Sequence, residues 1–443
     1  MRLLLFALLS VAWSPQAQPP ATQPRLPSLL DGDQPIALSL EAPLQELFQK
    51  GLEDEKVFVP GTLRFKNADG SEAELTGIEV SVRGNTSRRE TECTFPKLKL
   101  KLPQAGSLKI GTHCGEKPDD ALSTKYGRLA NERSPLREGL VYALLRGVEA
   151  PTLKTRAARI TYIDPAQQEP LVRHALLLED DDNAMKRVNG TAEIPLETFG
   201  SVAVRGAGAD AARIAFAEAM IGNFDWCLKF SPDDIYRCNE PRPLWNIVAF
   251  EIGGNKASLL MKDFDLAGTV VGKHAWFDKV WNRSFVESGS EIEIEVLSQV
   301  QRTRSLFPRA QLDAERRHFV ARKSALYETI KSYDVDAQGR ALARQYVDAF
   351  FKAIEDDTAY YRPIVTRSDV QVYMDPEGTR EACKPKDVMR PGTPVNEIQK
   401  SGQMSQVVVL DAMWRWGSRE ECHAVQDGPV WIRSDAITRD YPR

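Results

Sequence analysis

Alternating apolar and polar positions dominate the first half of this chain. Val57-Phe58-Val59, Thr62-Leu63-Arg64-Phe65 and Glu79-Val80-Ser81-Val82-Arg83 read as strands, and Asn67-Ala68-Asp69-Gly70 between them reads as a turn. From Pro96 to Leu102 the period is strictly two, which puts Leu98, Leu100 and Leu102 on one face and Lys97, Lys99 and Lys101 on the other. Ala158–Ile163 and Ala175–Leu178 predict two more strands. One clear helix interrupts this sheet-forming half. Ser134 is a good N-cap, Pro135 suits the first helical position, and Leu136, Leu140, Val141, Leu144 and Leu145 form one stripe that Gly147 ends, with Glu138 at its edge.

After about residue 209 the period becomes helical. Ala211–Ile221 predicts a helix that breaks at Gly222-Asn223. Leu244–Ile252 and Ala257–Met261 then read as two short apolar strands joined through Gly253-Gly254-Asn255, a hairpin signal. Segments 291–304, 312–332 and 337–354 are amphipathic helices, and a boundary falls near Asp356-Asp357-Thr358. Beyond it, short strands (370–373, 394–398, 407–410 and 430–432) separated by Gly and Pro turns predict a small all-β unit.

The 443 residues suffice for two or three domains. Lys and Arg total 58 against 62 Asp and Glu, a formal charge of -4, so no basic field is available to collect nucleic acid, and none is expected as a partner. Arg2, the apolar run Leu3–Trp13 and a Pro, Gln and Ala-rich exit read as a secretory signal over residues 1–20, too short to span a membrane. Residues 21–55 then read as a leader or linker. No later apolar run is long enough for a membrane span, so the expected location is secreted or periplasmic. Six cysteines, at 93, 114, 227, 238, 383 and 422, form three pairs of near neighbours and predict three local disulfides. Metal binding is the weaker reading of these cysteines, since no CxxC unit accompanies them.

The candidate chemistry lies in an ordered series: a helix, Asn223-Phe224-Asp225-Trp226, a loop, Asn246 opening the hairpin, and Lys262-Asp263-Phe264-Asp265 after it. An Asp after a helix, an Asn before a hairpin and an Asp after it form the order of a protein-kinase catalytic segment. In that arrangement the first Asp orients the acceptor hydroxyl, while the Asn and the last Asp hold Mg²⁺ through hard oxygen ligands. The scattered histidines offer no Ser-His-Asp or HExxH order, so nucleophilic or zinc hydrolase chemistry has no support.

With these residues the chain resembles the CotH kinase-like family. The match includes Arg83-Gly84-Asn85-Thr86-Ser87-Arg88, the Pro96–Leu102 strand, Leu140-Val141-Tyr142, Leu177-Leu178-Glu179-Asp180, Gly222–Trp226 and Asp263–Asp265, and it covers about two thirds of the chain. The resemblance implies an α+β, two-lobed kinase-like fold over 56–355, with a β-rich first lobe and a helical second lobe. It also implies ATP with Mg²⁺ or Mn²⁺ as cofactors and a protein hydroxyl as acceptor. On this pattern Asp225 is the catalytic acid, and Asn246 and Asp263 are metal ligands with Asp265 a second candidate. Lys99 contacts phosphates, paired with Glu138, and Lys97, Lys101 and Lys109 remain rivals that alternation cannot separate. Glu179 borders the nucleotide pocket, and Arg83 stands in the only early Gly-containing segment that could approach phosphates. Between Asp225 and Asn246 lies a long insert that a Cys227–Cys238 bond would fold back.

Residues 364–443 resemble a bacterial SH3-like module, through Arg390–Val395 and Val430–Ile437, which implies a cell-wall or peptide ligand. Trp414, Trp416 and Trp431 could line a groove there or fill its core. Two other readings compete with a kinase: a catalytically silent kinase-like scaffold, and paired acids at 225, 263 and 265 serving metal-assisted hydrolysis or glycoside cleavage.

Overall fold

The computed structural model describes residues 27–51, 54, 56–67, 69–103, 106–195, 208–228, 244–254, 256–272, 290–365, 370–381, 388–389, 393, 395–409 and 429–439. Its first half is a barrel. After the short α1 (Pro27–Leu30) come β1 (Ile36–Glu41), α2 (Leu44–Gly51), β2 (Val59–Lys66), β3 (Glu72–Val82), β4 (Leu98–Leu102), β5 (Gly106–Gly111), α3 (Arg133–Gly147), β6 (Thr155–Ile163) and β7 (Leu171–Glu179). The strands close in the order β1-β2-β3-β4-β5-β7-β6. Every neighbouring pair is antiparallel except β1 and β6, which run parallel with Leu38 opposite Ile160 and form the closing seam. Period-two alternation sends Leu38, Leu40, Leu63, Val80, Leu98, Leu100, Leu108, Ile110, Ile160 and Leu177 to the interior, where all are buried.

Residues 36–51, expected as part of a linker, are built into this barrel. Ile36, Leu38 and Leu40 alternate inward on β1, and Leu44 and Leu47 of α2 join the same core. The expected strands at 57–59 and 62–65 are largely one element, β2, with a register shift between Gly61 and Leu63. The Lys-striped strand begins at Leu98, and β5 pairs with it without having been anticipated. Cys93 and Cys114 form a disulfide, as expected, and Phe95 N donates to Cys114 O beside it at 3.0 Å. Cys227 is also disulfide-bonded, while Cys238, Cys383 and Cys422 lie outside the described residues.

Helix α3 is buried on nearly every side, so it sits inside the molecule where the barrel meets the helical half. It starts at Arg133, whose N–H donates to Asn131 Oδ1 at 3.0 Å, while Glu132, not Ser134, stands at the N-cap position without a side-chain capping bond. Beyond the barrel follow α4 (Asp181–Arg187), β8 (Ala192–Glu193), α5 (Gly208–Ile221), β9 (Cys227–Leu228), β10 (Leu244–Trp245), β11 (Ile247–Glu251), β12 (Ala257–Met261) and α6 (Gly268–Val271). Helices α7 (Glu291–Leu306), α8 (Arg309–Ser332) and α9 (Ala337–Ile354) complete a second core around Phe216, Phe319, Tyr346 and Phe350. Tyr346 fixes two loops at once. Its ring lies where a Cβ on either Gly222 or Gly268 would overlap it, Gly268 N donates to Gly222 O at 2.9 Å, and Gly222 has a φ of +64°.

The last segment, after α10 (Asp357–Tyr360), holds β13 (Ile364–Val365), β14 (Val370–Gln371), β15 (Val388–Met389), β16 (Val395–Ser401), β17 (Met404–Val409), β18 (Val430–Arg433) and β19 (Ile437–Thr438). Strands β16, β17 and β18 form one sheet, and β13 with β19 and β14 with β15 form two small ladders around a core that includes Val372, Val407 and Ile432. An all-β unit is present, and the described strands do not close into a complete SH3-like barrel. Trp431 is buried, and Trp414 and Trp416 lie outside the described residues. No helix among the described residues is long and apolar enough to cross a membrane.

Candidate functional site

Four separate parts of the chain meet where the barrel faces α3 and the loop after β12. Lys97, just ahead of β4, sends Nζ to 2.6 Å from Asp263 Oδ1 and 2.9 Å from Asp265 Oδ2. Burial works against the Lys97 ammonium, but Asp263, Asp265 and Glu138 outweigh it and hold its pKa above the ordinary lysine value. Glu138 reaches the same place from α3, where its Oε1 accepts from Phe264 N at 3.4 Å. Burial pushes its carboxyl well above the usual carboxylate range, with Lys97 pulling the other way. Of the rival lysines, Lys97 is the one that meets Asp263, and the charge of Glu138 acts on it.

This difference among the lysines has a simple geometric cause. Residues two apart on a strand share a face but stand almost 7 Å apart along it. Lys97 lies at the end of the strand nearest the 261–265 loop and is buried, Lys101 at the other end pairs with exposed Glu79 at 2.8 Å, and Lys99 lies between them. Lys99 sits across from Lys109 of β5, and its charge acts on Asp180. Lys109 in turn is 2.9 Å from Asp181, which Lys262 also approaches at 3.3 Å.

Asp265 is held differently from Asp263. Arg128 Nε donates to Asp265 Oδ2 at 2.9 Å, and both groups are buried. Burial opposes ionisation of Asp265, but Arg128 and Lys97 outweigh it and keep its carboxyl below the usual range. Asp265 thus anchors the loop to two cations, whereas Asp263 keeps a side chain 39% exposed. Arg128 carried no sequence signal, because it lies in an irregular stretch between β5 and α3.

Asp225 and Asn246 meet on the other side of Asp263. Asp225 Oδ1 accepts from Trp245 Nε1 at 2.9 Å and Oδ2 accepts from Asn246 Nδ2 at 3.0 Å. Burial, then the nearby Asp263, pushes the Asp225 carboxyl up to about 6. Asn223 Oδ1 accepts from Asp225 N at 3.0 Å, and its own amide donates to buried Glu218 at 2.8 Å, so the turn after α5 is fixed from below. Lys262 N donates to Asn246 O at 2.9 Å across the hairpin base, which brings Asn246 beside Asp263. Asn246 and Asp263 have φ of +54° and +65°. Left-handed backbone at non-glycine residues is uncommon and concentrates where function holds it in place.

Two other expected residues occupy distinct settings. Glu179 is buried and committed to structure: its Oε2 is 2.9 Å from Arg187 Nη2 and accepts from Lys154 N at 3.1 Å. Its carboxylate braces the end of β7. Arg83 follows β3, has its Nε buried without a hydrogen-bond partner, and makes no ion pair among the described residues. Its charge acts on Lys97, Lys109 and Glu138, so it stands among the groups of the site.

These donors fit the expected cofactors. Among the described residues no group of three His, Cys, Asp or Glu side chains could hold a metal ion unaided. An amide oxygen and one or two carboxylates are nevertheless the protein's usual share for Mg²⁺, which keeps waters and takes phosphate oxygens for the rest. Asn246 donates through Nδ2 and so leaves Oδ1 as its acceptor. The buried, unpaired Arg83 Nε supplies what a phosphate group would need.

Comparisons with known proteins add little to this geometry. No family model matches the chain, and no curated protein sequence matches it. Among solved structures, the Helicobacter pylori proinflammatory kinase CtkA superposes with a TM-score of 0.32 at 8% identity, over 60% of this chain and 90% of that one, a likeness too loose to carry argument.

Proposed function

We propose that this chain is an exported, two-lobed kinase-like protein of the CotH type that binds ATP with Mg²⁺ or Mn²⁺ and phosphorylates a Ser or Thr hydroxyl of a protein. The observation that carries this reading is the convergence of Asp225, Asn246 and Asp263 beside buried Lys97, which Glu138 backs from α3. When bound, the metal–nucleotide would supply the transferable γ-phosphoryl group, with the nucleoside diphosphate as its leaving group. Asn246 Oδ1 and Asp263 would hold the metal. Lys97 and Arg83 would hold phosphate oxygens, with Glu138 keeping Lys97 in place. Asp225 orients the acceptor hydroxyl and takes its proton. The buried Cys93–Cys114 disulfide supports an oxidising compartment, in keeping with the signal-like first residues. The C-terminal β unit is assigned a cell-wall or peptide ligand on its SH3-like motifs.

One observation favours a catalytically silent scaffold instead: Lys97 already neutralises Asp263 and Asp265, leaving less demand for a cation. Thermal denaturation with ATP and MnCl₂ separates the two. A nucleotide binder at a hundred times its Kd gains about 2.7 kcal/mol. Incubation with γ-labelled ATP then tests transfer. Label is expected on wild type and absent from Asp225→Asn and Asp263→Asn; a stable protein with neither thermal gain nor label overturns the kinase reading.

A further inference from the structure

A cavity of about 580 Å³ opens at one mouth of the barrel, between α2, the disulfide-tied segment before β4, and the turn after β6. Its size is that of a small-molecule site, and barrel mouths are frequent places for one. The base is aromatic. Phe95 packs edge-on to Phe48 with ring centroids 4.9 Å apart, and against Tyr162 at 4.8 Å. The Tyr162 side chain is only 2% exposed, and its hydroxyl has no hydrogen-bond partner among the described residues. Because that oxygen is itself buried, Tyr162 packs with the barrel core as the floor beneath Phe95.

The polar lining selects what that ligand can be. Gln45, Gln49 and Gln167 contribute amides that both donate and accept, and Thr94 adds a hydroxyl. Asp164 is fixed by Gln45 N at 2.7 Å and Ala166 N at 2.9 Å, and Glu90 is the other carboxylate. Among the described residues no Lys, Arg or His lines the cavity, so this lining offers nothing to neutralise an anion. A purely apolar guest would leave the amides and carboxylates facing it without partners. A guest with one apolar face for the rings and several hydroxyls for the rim satisfies both halves of the lining.

We infer that this cavity is a binding site for a neutral saccharide of about disaccharide size, with Gln45, Gln49 and Gln167 as its hydrogen-bonding groups and Phe48 and Phe95 as the stacking surface. The site is separate from the Asp225–Asp263 cleft and does not depend on the activity proposed for it.

The test is ligand-observed NMR and calorimetric titration of the full chain with cellobiose, maltose, lactose and N,N′-diacetylchitobiose. At least one of these is expected to give a saturable titration. Gln49→Ala should weaken it about five-fold, the loss of one ordinary hydrogen bond. Gln45→Ala, at an exposed position where folding is not at stake, should weaken it as well, and Asp263→Asn should leave it unchanged. No saturable titration with any of these sugars overturns the inference, as does binding indifferent to both Gln49→Ala and Gln45→Ala. Binding of sulfated or phosphorylated sugars alone would refute the charge argument, and the inference with it.

Discussion

Replacing His113 by Phe should change how stability responds to acid. The His113 ring is fully buried, lies against Phe95 at a centroid distance of 4.5 Å, and has Glu116 Oε1 3.1 Å from Nε2. Burial pushes its pKa down to about 4, with Glu116 opposing that and Arg173 adding to it. An imidazole in the unfolded chain titrates near ~6.5. Between pH ~6.5 and ~4 the unfolded chain therefore holds a proton that the folded one refuses, and stability falls as pH falls through that window. The slope is about 1.4 kcal/mol per pH unit, and the whole effect is about 3 kcal/mol. Glu138 acts oppositely, because burial raises its pKa and the folded state holds the extra proton. The wild-type profile thus combines opposed slopes, and the difference between wild type and His113→Phe isolates the ring. Urea denaturation at half-unit steps from pH 7.5 to 4.5 is the assay. The variant should gain on wild type by more than about 2 kcal/mol toward the acid end; a difference that stays flat with pH refutes a buried neutral imidazole.

Three further outcomes follow from the same coordinates. Lys97→Met should abolish labelling from γ-labelled ATP, whereas Lys99→Met should keep it within a few-fold; equal losses would return the phosphate role to the strand as a whole. Gly268→Ala would force a Cβ into Tyr346 and should cost about 3 kcal/mol in chemical denaturation, against under about 1 kcal/mol for an exposed surface substitution such as Gln49→Ala. Opening the Cys93–Cys114 link, which spans a sequence separation of 21, by the Cys93→Ser, Cys114→Ser double variant should lower stability by about 3 kcal/mol, read from urea midpoints.

The sequence carried the site better than it carried the barrel. Asp225, Asn246 and Asp263 each sit beside a punctuating element, a helix end or a hairpin base, and such local signals survive in a single sequence. The choice among lysines was not legible, because Lys97, Lys99 and Lys101 share one face and only the start of β4 meets the 261–265 loop. Arg128, Trp245 and Tyr346 act through contacts between distant segments, which periodicity cannot encode. Strand β1 did have a signal, the alternation of Ile36, Leu38 and Leu40, but its place between Pro35 and Pro43 disguised it as linker. Barrel closure itself depends on a pairing between strands far apart in the chain.

That seam constrains how the protein can be cut and how it is made. A fragment starting at residue 56 would lose β1 and convert a sheet without edges into one with two, exposing the unpaired backbone of β2 and β6 to neighbouring molecules. During synthesis the first strand must wait for β6 before its second side is covered, so closure is a late, non-local event that slows folding. Expression trials that trim the start of the chain should therefore keep everything from residue 27 onward.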